Sequence, residues 1–217
     1  MATSAPELRA AVFGSGEGTT VEALVAAIRE GHVPVRIAGV LVDRPEAPLI
    51  ARANRLGLEV QLLPSRGHDP SDWSAAATWW LDSLGAELVV LAGFRAILPR
   101  SFLDRWRGRV LNVHPSLLPE FGGAGMYGRR VHEAVLRDGR EETGATVHIV
   151  TELVDGGPVL AQGRLPVDPG ETPESLRERL RPVEVGLLVE VLRRFGDRRW
   201  TLPYEPDRPG APRPLLS

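Results

Sequence analysis

From Arg9 to about Phe102 the chain alternates short apolar runs with longer amphipathic ones. Strands buried on both faces of a parallel sheet leave the short runs, and the helices that cross between them leave the long ones. Residues 10–14, 35–42, 58–63, 87–91 and 109–113 read as strands, and 19–29, 46–56, 71–84, 99–106 and 129–137 as helices. Gly31 and Gly57 stand where helix C-caps belong, and Ser71 where the third helix needs an N-cap. Residues 115–128 form a Gly-rich, Pro-bounded loop, followed by strands at 145–150 and 158–166. A long helix spans 173–195, with Thr172 as cap and Pro173 in its first turn.

With 217 residues, 43% hydrophobic and 25% charged, the composition is that of one α/β domain with a sizeable core. The reading divides it into an N-terminal extension (1–8), a domain at 9–200 with halves at about 9–106 and 107–200, and a Pro-rich tail (201–217). All 26 basic residues are Arg, and there is no Lys and no Cys. That excludes Schiff-base chemistry on lysine, a Walker phosphate loop, thiolate nucleophiles, disulfides and thiolate-bound metals. No long uncharged apolar stretch and no basic-then-apolar leader is present, so the cytoplasm is expected and no membrane partner. A net charge of −2 gives no general attraction to nucleic acid. The clusters Arg105, Arg107, Arg109 and Arg193, Arg194, Arg198, Arg199 read as solvated helix faces and ends.

Three segments carry chemistry. Gly14-Ser-Gly-Glu-Gly-Thr-Thr20 lies between a strand and a helix, where small residues let backbone N–H groups approach an anion; Gly18, Thr19 and Thr20 fit a phosphate monoester. In Leu111-Asn-Val-His-Pro-Ser-Leu-Leu-Pro119, Asn112 and His114 are two apart on a strand end and share a face. An amide beside an imidazole can hold a carbonyl oxygen and handle a proton, the equipment of acyl or formyl transfer. Asp155, in a Gly-bounded turn, could orient that imidazole and favour its charged form. His32, His68 and His148 read as structural.

Together these segments resemble the folate-dependent formyltransferases, specifically the phosphoribosylglycinamide formyltransferases of purine biosynthesis. The resemblance spans about residues 9–195, through SGEGTT, VVLAGFRAIL, LNVHPSLLP, TGATVHIV and LVDGGPVL. It implies a Rossmann-like, mostly parallel sheet with helices on both faces, the formyltransferase fold, in a single domain. It also implies that Asn112, His114 and Asp155 are the catalytic trio, and that Gly18, Thr19 and Thr20 bind the nucleotide phosphate with help from Arg181. Glu184 falls on the glycinamide ribonucleotide. Phe94, Arg95, Ala96, Ile97 and Leu98 match the pterin stretch, and Asn112 with Glu152, Leu153, Val154 and Asp155 completes the folate site. The usual Phe-Met-Arg-Ile-Leu reads Phe-Arg-Ala-Ile-Leu here; Pro70 replaces an Arg, with Arg66 as possible substitute; Val185 replaces a His; and the 121–128 loop is longer, shifting His132.

The implied reaction moves the formyl group of 10-formyltetrahydrofolate, a co-substrate, to the amine of 5-phosphoribosylglycinamide in de novo purine (IMP) biosynthesis. Asn112 then holds the oxyanion, and protonated His114, held by Asp155, passes a proton toward N10. Partners are small molecules only, no metal is implied, and the protein is a monomer or homodimer. The alternatives are another amine acceptor, a formyltetrahydrofolate hydrolase, and a nucleotide-binding module without turnover.

Overall fold

The computed structural model describes residues 7–207 and 214–216. Its strands are β1 (Leu8–Gly14), β2 (Val35–Val42), β3 (Val60–Leu62), β4 (Leu88–Leu91), β5 (Val110–His114), β6 (Glu142–Ile149), β7 (Val159–Pro166) and β8 (Leu215–Leu216). They make one sheet in the order β3-β2-β1-β4-β5-β6-β7-β8. Neighbours are parallel from β3 to β5, antiparallel at β5–β6 and β6–β7, and parallel again at β7–β8. The helices are α1 (Thr19–Arg29), α2 (Leu49–Arg55), α3 (Pro70–Ser83), α4 (Arg100–Arg105), α5 (Arg129–Arg137) and α6 (Pro173–Gly196).

The sheet is covered on both faces, which is why its central strands are apolar at consecutive positions. Ala10 and Val12 pack with Val21 and Leu24 of α1, Leu49 of α2, and Leu188 and Val191 of α6. Ala11 and Phe13 point the other way, into Trp73 and Trp80 of α3 and Phe102 of α4. Phe13 and Phe102 stand 5.9 Å apart between ring centroids, and Trp73 and Phe102 5.6 Å in an edge-on arrangement. Phe13 is fully buried, so Phe13→Ala would cost about 3–5 kcal/mol.

Several boundaries move for identifiable reasons. β1 begins at Leu8, which is fully buried and paired with Val35. α2 begins at Leu49 rather than 46, because Ala47 N–H closes a turn onto Arg44 O first. β3 is shorter than 58–63, since it is an edge strand matched only to Val40–Val42. The cap of α3 is Asp69, not Ser71: its Oδ1 accepts the Ser71 N–H at 2.8 Å, with Pro70 in the first turn. β6 starts three residues before 145, because Glu142–Gly144 pair with Arg164–Pro166. Within the Pro-rich tail, Tyr204 packs on Phe195 and Trp200, and Leu215–Leu216 adds a strand beside β7. The rest of that tail (208–213, 217) and residues 1–6 of the N-terminal extension lie outside the described residues. Gly31 and Gly57 adopt the left-handed φ expected just after a helix (78° and 74°). Among the Arg clusters, Arg105 pairs with Asp82, Arg107 with Asp104, and Arg193 and Arg194 with Glu190.

β1 lies between β2 and β4, so the chain leaves β1 in one direction and β4 in the other, opening a crevice at their C-terminal ends. Ser15 joins its walls: its N–H donates to Gly93 O (3.2 Å) and its Oγ accepts the Arg95 N–H (2.9 Å). Among the described residues no helix is long and apolar enough to cross a membrane.

Candidate active site

β5 alternates. Leu111 and Val113 turn to the α6 side with Val147 and Ile149 of β6, so Asn112 and His114 share the opposite face. The antiparallel register sets Asn112 against His148 and His114 against Thr146. Thr146 holds the turn that follows His114: its Oγ1 accepts the Leu118 N–H at 3.0 Å and donates to Ser116 O at 2.7 Å. Gln162 Nε2 adds a bond to Leu118 O at 2.9 Å.

Asp155 arrives over this face because residues 151–158 fold back. Asp155 itself has a left-handed φ of 55°, and Gly157 passes so close to Ile149 that a Cβ would collide with its carbonyl. Asp155 Oδ2 accepts the Gly123 N–H at 3.0 Å and lies 3.5 Å from His114 Nδ1, while Oδ1 lies 3.5 Å from His148 Nε2. One carboxylate thus stands between two buried imidazoles. Each imidazole gives its other nitrogen to a backbone carbonyl, His114 Nε2 to Phe121 O (2.9 Å) and His148 Nδ1 to Ile149 O (3.0 Å). His148, read as structural in sequence, is a member of the site. A lone His in an apolar strand carries no signal of this; only the β5–β6 register reveals it.

Burial works to raise the Asp155 carboxyl, but the imidazoles of His148 and His114 and the Gly123 N–H outweigh it and hold it below its usual value. For His114, burial dominates and lowers the imidazole despite the Asp155 charge and the Phe121 carbonyl, with His148 adding repulsion. Burial thus favours the neutral ring, against the pull of the Asp155 charge. Both ring nitrogens face acceptors, and Nε2 has the shorter contact, so the neutral ring is assigned its hydrogen there.

On the α1 side of this centre, Gly18 takes φ 73° at the start of α1, with no side chain capping the helix. The loop is pinned from outside by Leu49 N–H to Gly16 O (3.0 Å) and Arg52 Nε to Glu17 O (2.8 Å). The N–H groups at Thr19 and Thr20 open the helix, as an anion site requires. α6 packs beside α1. Arg181 and Glu184 share one face of α6 with Arg177, which the sequence reading missed. Burial pushes the Glu184 carboxyl up to about 7, partly offset by Arg177 and Arg181. His132 of α5 is also buried; desolvation, then Arg177 and His114, bring it down to about 4 against the pull of Glu174.

On the α3 side lies a cleft of about 200 Å³ lined by Trp73, Phe94, Ala96, Ile97 and Leu98, together with Ser65, His68 and Pro70. Arg95 does not line it: the residue is exposed, and its backbone is spent on Ser15. Arg66 is exposed and also outside the lining. Ile97 and Leu153 are 75% and 70% exposed, apolar side chains presented outward beside the reacting edge. Val154 lies in the same turn, and Glu152 pairs with Arg100 Nε of α4 at 3.1 Å.

Residues 8–192 match the family described as Formyl transferase. The chain belongs to the formyl transferase family. It is 33% identical over 193 residues to the phosphoribosylglycinamide formyltransferase of Haemophilus influenzae, covering 88% of this chain and 89% of that protein. The crystal structure of glycinamide ribonucleotide transformylase 1 from Symbiobacterium toebii superposes with a TM-score of 0.84 at 34% identity, over 97% of this chain and 94% of that one. A formyltetrahydrofolate deformylase from Pseudomonas syringae has the same fold (TM-score 0.80, 25% identity), but this formyl transferase spans only 64% of its chain.

Proposed function

We infer that this formyl transferase moves the formyl group of 10-formyltetrahydrofolate to the amine of 5-phosphoribosylglycinamide, giving N-formylglycinamide ribonucleotide and tetrahydrofolate in purine biosynthesis. The observation that carries this reading is the convergence of Asn112, His114 and Asp155 at one sheet edge. A backbone-built anion loop lies on one side of that edge and an apolar cleft on the other. Gly18, Thr19, Thr20 and Arg181 take the phosphate, and Glu184 the glycinamide ribonucleotide. Phe94 to Leu98 and Glu152 to Asp155 take the folate, Arg95 through its backbone only.

The amine nitrogen attacks the formyl carbon, and the carbonyl electrons move to oxygen. Asn112 donates a hydrogen bond to that oxygen, where the charge develops. The attacking nitrogen becomes positive and loses a proton, which His114 accepts on Nδ1, the nitrogen turned to Asp155. Asp155, held ionised, stabilises the imidazolium so formed. The proton then passes to N10 as the C–N10 bond breaks, so no covalent enzyme intermediate arises and a chain without Lys or Cys lacks nothing the reaction needs. These substrates are small molecules, and the reading places the reaction in the cytoplasm.

Replacing His114 by Ala tests the assignment. A fall in turnover on the order of 10²- to 10³-fold, with both KM values near wild type, is expected. Activity within a few-fold of wild type would remove His114 from the mechanism.

A further inference from the structure

His148 is as buried as His114 and points into the same site, yet the mechanism above gives it no task. Its ring contacts carry information about protons. Nδ1 lies 3.0 Å from Ile149 O, an atom that can only accept, so Nδ1 carries the hydrogen. In the neutral ring Nε2 is then a bare acceptor. It stands between a donor, Asn112 Nδ2 at 3.1 Å, and an acceptor, Asp155 Oδ1 at 3.5 Å. The shorter contact is the one a bare Nε2 satisfies. An amide nitrogen has two hydrogens. With one given to His148, the amide is locked against rotation by 180°, and its second N–H is free for the substrate.

We propose that His148 is a positioning residue: its unprotonated Nε2 fixes which end of the Asn112 amide faces the formyl oxygen. The inference rests on the oxyanion role assigned to Asn112 under the proposed function. The cross-strand pairing of Asn112 with His148 makes the arrangement rigid, since the two residues sit directly opposite on β5 and β6. A proton on Nε2 would reverse it, turning the ring toward Asp155 and calling for the amide oxygen of Asn112 instead of its nitrogen. The groups that would share or oppose such a proton are Asp155 from the 151–158 turn and His114 from β5.

Two measurements test this on the full chain. The first is long-range 1H–15N NMR of the histidine rings at the assay pH. A His148 ring with Nδ1 protonated and Nε2 bare is expected; a proton on Nε2 overturns the proposal. The second is steady-state kinetics of His148→Gln and His148→Leu. Gln keeps an acceptor near the Nε2 position, and Leu keeps bulk but no acceptor. For Leu, kcat should fall on the order of 10- to 100-fold, less than loss of the oxyanion donor itself, with both KM values within about three-fold. Gln should recover most of that loss. Equal kcat in Leu and wild type, or equal losses in Gln and Leu, would overturn it. If Leu does not fold, the NMR result and Gln still decide. If wild type forms no formylated nucleotide, the proposed function fails, and the ring spectrum still reports whether Nε2 holds Asn112.

Discussion

The two sides of the reacting edge are built on opposite principles. On the α1 and α6 side, the proposed recognition rests on backbone geometry and charge: a left-handed Gly18, an uncapped helix start, and a Glu184 that burial keeps close to half-protonated near pH 7. On the α3 and α4 side it rests on shape: an apolar cleft, with Ile97 and Leu153 left uncovered. A site read by positions tolerates little change, because each N–H or carboxylate has one place to be. A site read by shape depends on its wall as a whole, and Ala96 and Pro70 are both part of that wall.

The largest effect belongs to the residue both sides share. Asp155→Asn removes the charge between two imidazoles, and turnover should fall on the order of 10²- to 10³-fold, as for loss of His114 itself, with both KM values little changed; stopped-assay kcat checks it. On the positional side, Gly18→Val forces a β-branched residue into left-handed backbone and against Leu49. The nucleotide KM should rise about 100-fold, with stability lower by about 1–3 kcal/mol; saturation kinetics and thermal melts report the two.

Glu184→Gln separates binding from stability on that same side. The folded carboxyl is raised to about 7 from its ordinary value of 4.5, so burial costs nothing below about pH 4.5 and progressively more as pH climbs through 7. The variant should therefore be more stable than wild type at pH 8, by at most about 3 kcal/mol, and equal to it at pH 4. Its nucleotide KM should nonetheless rise about ten-fold, a loss of roughly 1.4 kcal/mol of binding. A melt showing no gain at pH 8 would contradict the burial argument. The smallest effect lies on the shape side: Ile97→Ala should raise the folate KM about three- to ten-fold, leave the nucleotide KM unchanged, and shift stability by no more than about 0.5 kcal/mol.

The same contrast explains what could be read before the fold was known. Thr19–Arg29, Val35–Val42 and Arg129–Arg137 have sharp periodicity and clear ends, and their predicted bounds match the elements observed. Asn112 and His114 were legible because a two-residue spacing on one strand is a local fact. His148, His132 and Arg177 were not, because what makes them part of the site is register and helix packing across distant segments. The Asp69 cap was hidden by Ser71, an equally good capping residue two positions on. For His114 the sequence shows the Asp155 partner, which favours the charged imidazole, but not the burial that opposes it.

The most direct test follows a labelled formyl carbon. With 10-formyltetrahydrofolate carrying 14C in the formyl group, the label should appear in the nucleotide product, one per tetrahydrofolate formed, and tetrahydrofolate should not form when 5-phosphoribosylglycinamide is left out. Label released as formate at the same rate with or without the nucleotide would contradict the account and make the chain a hydrolase.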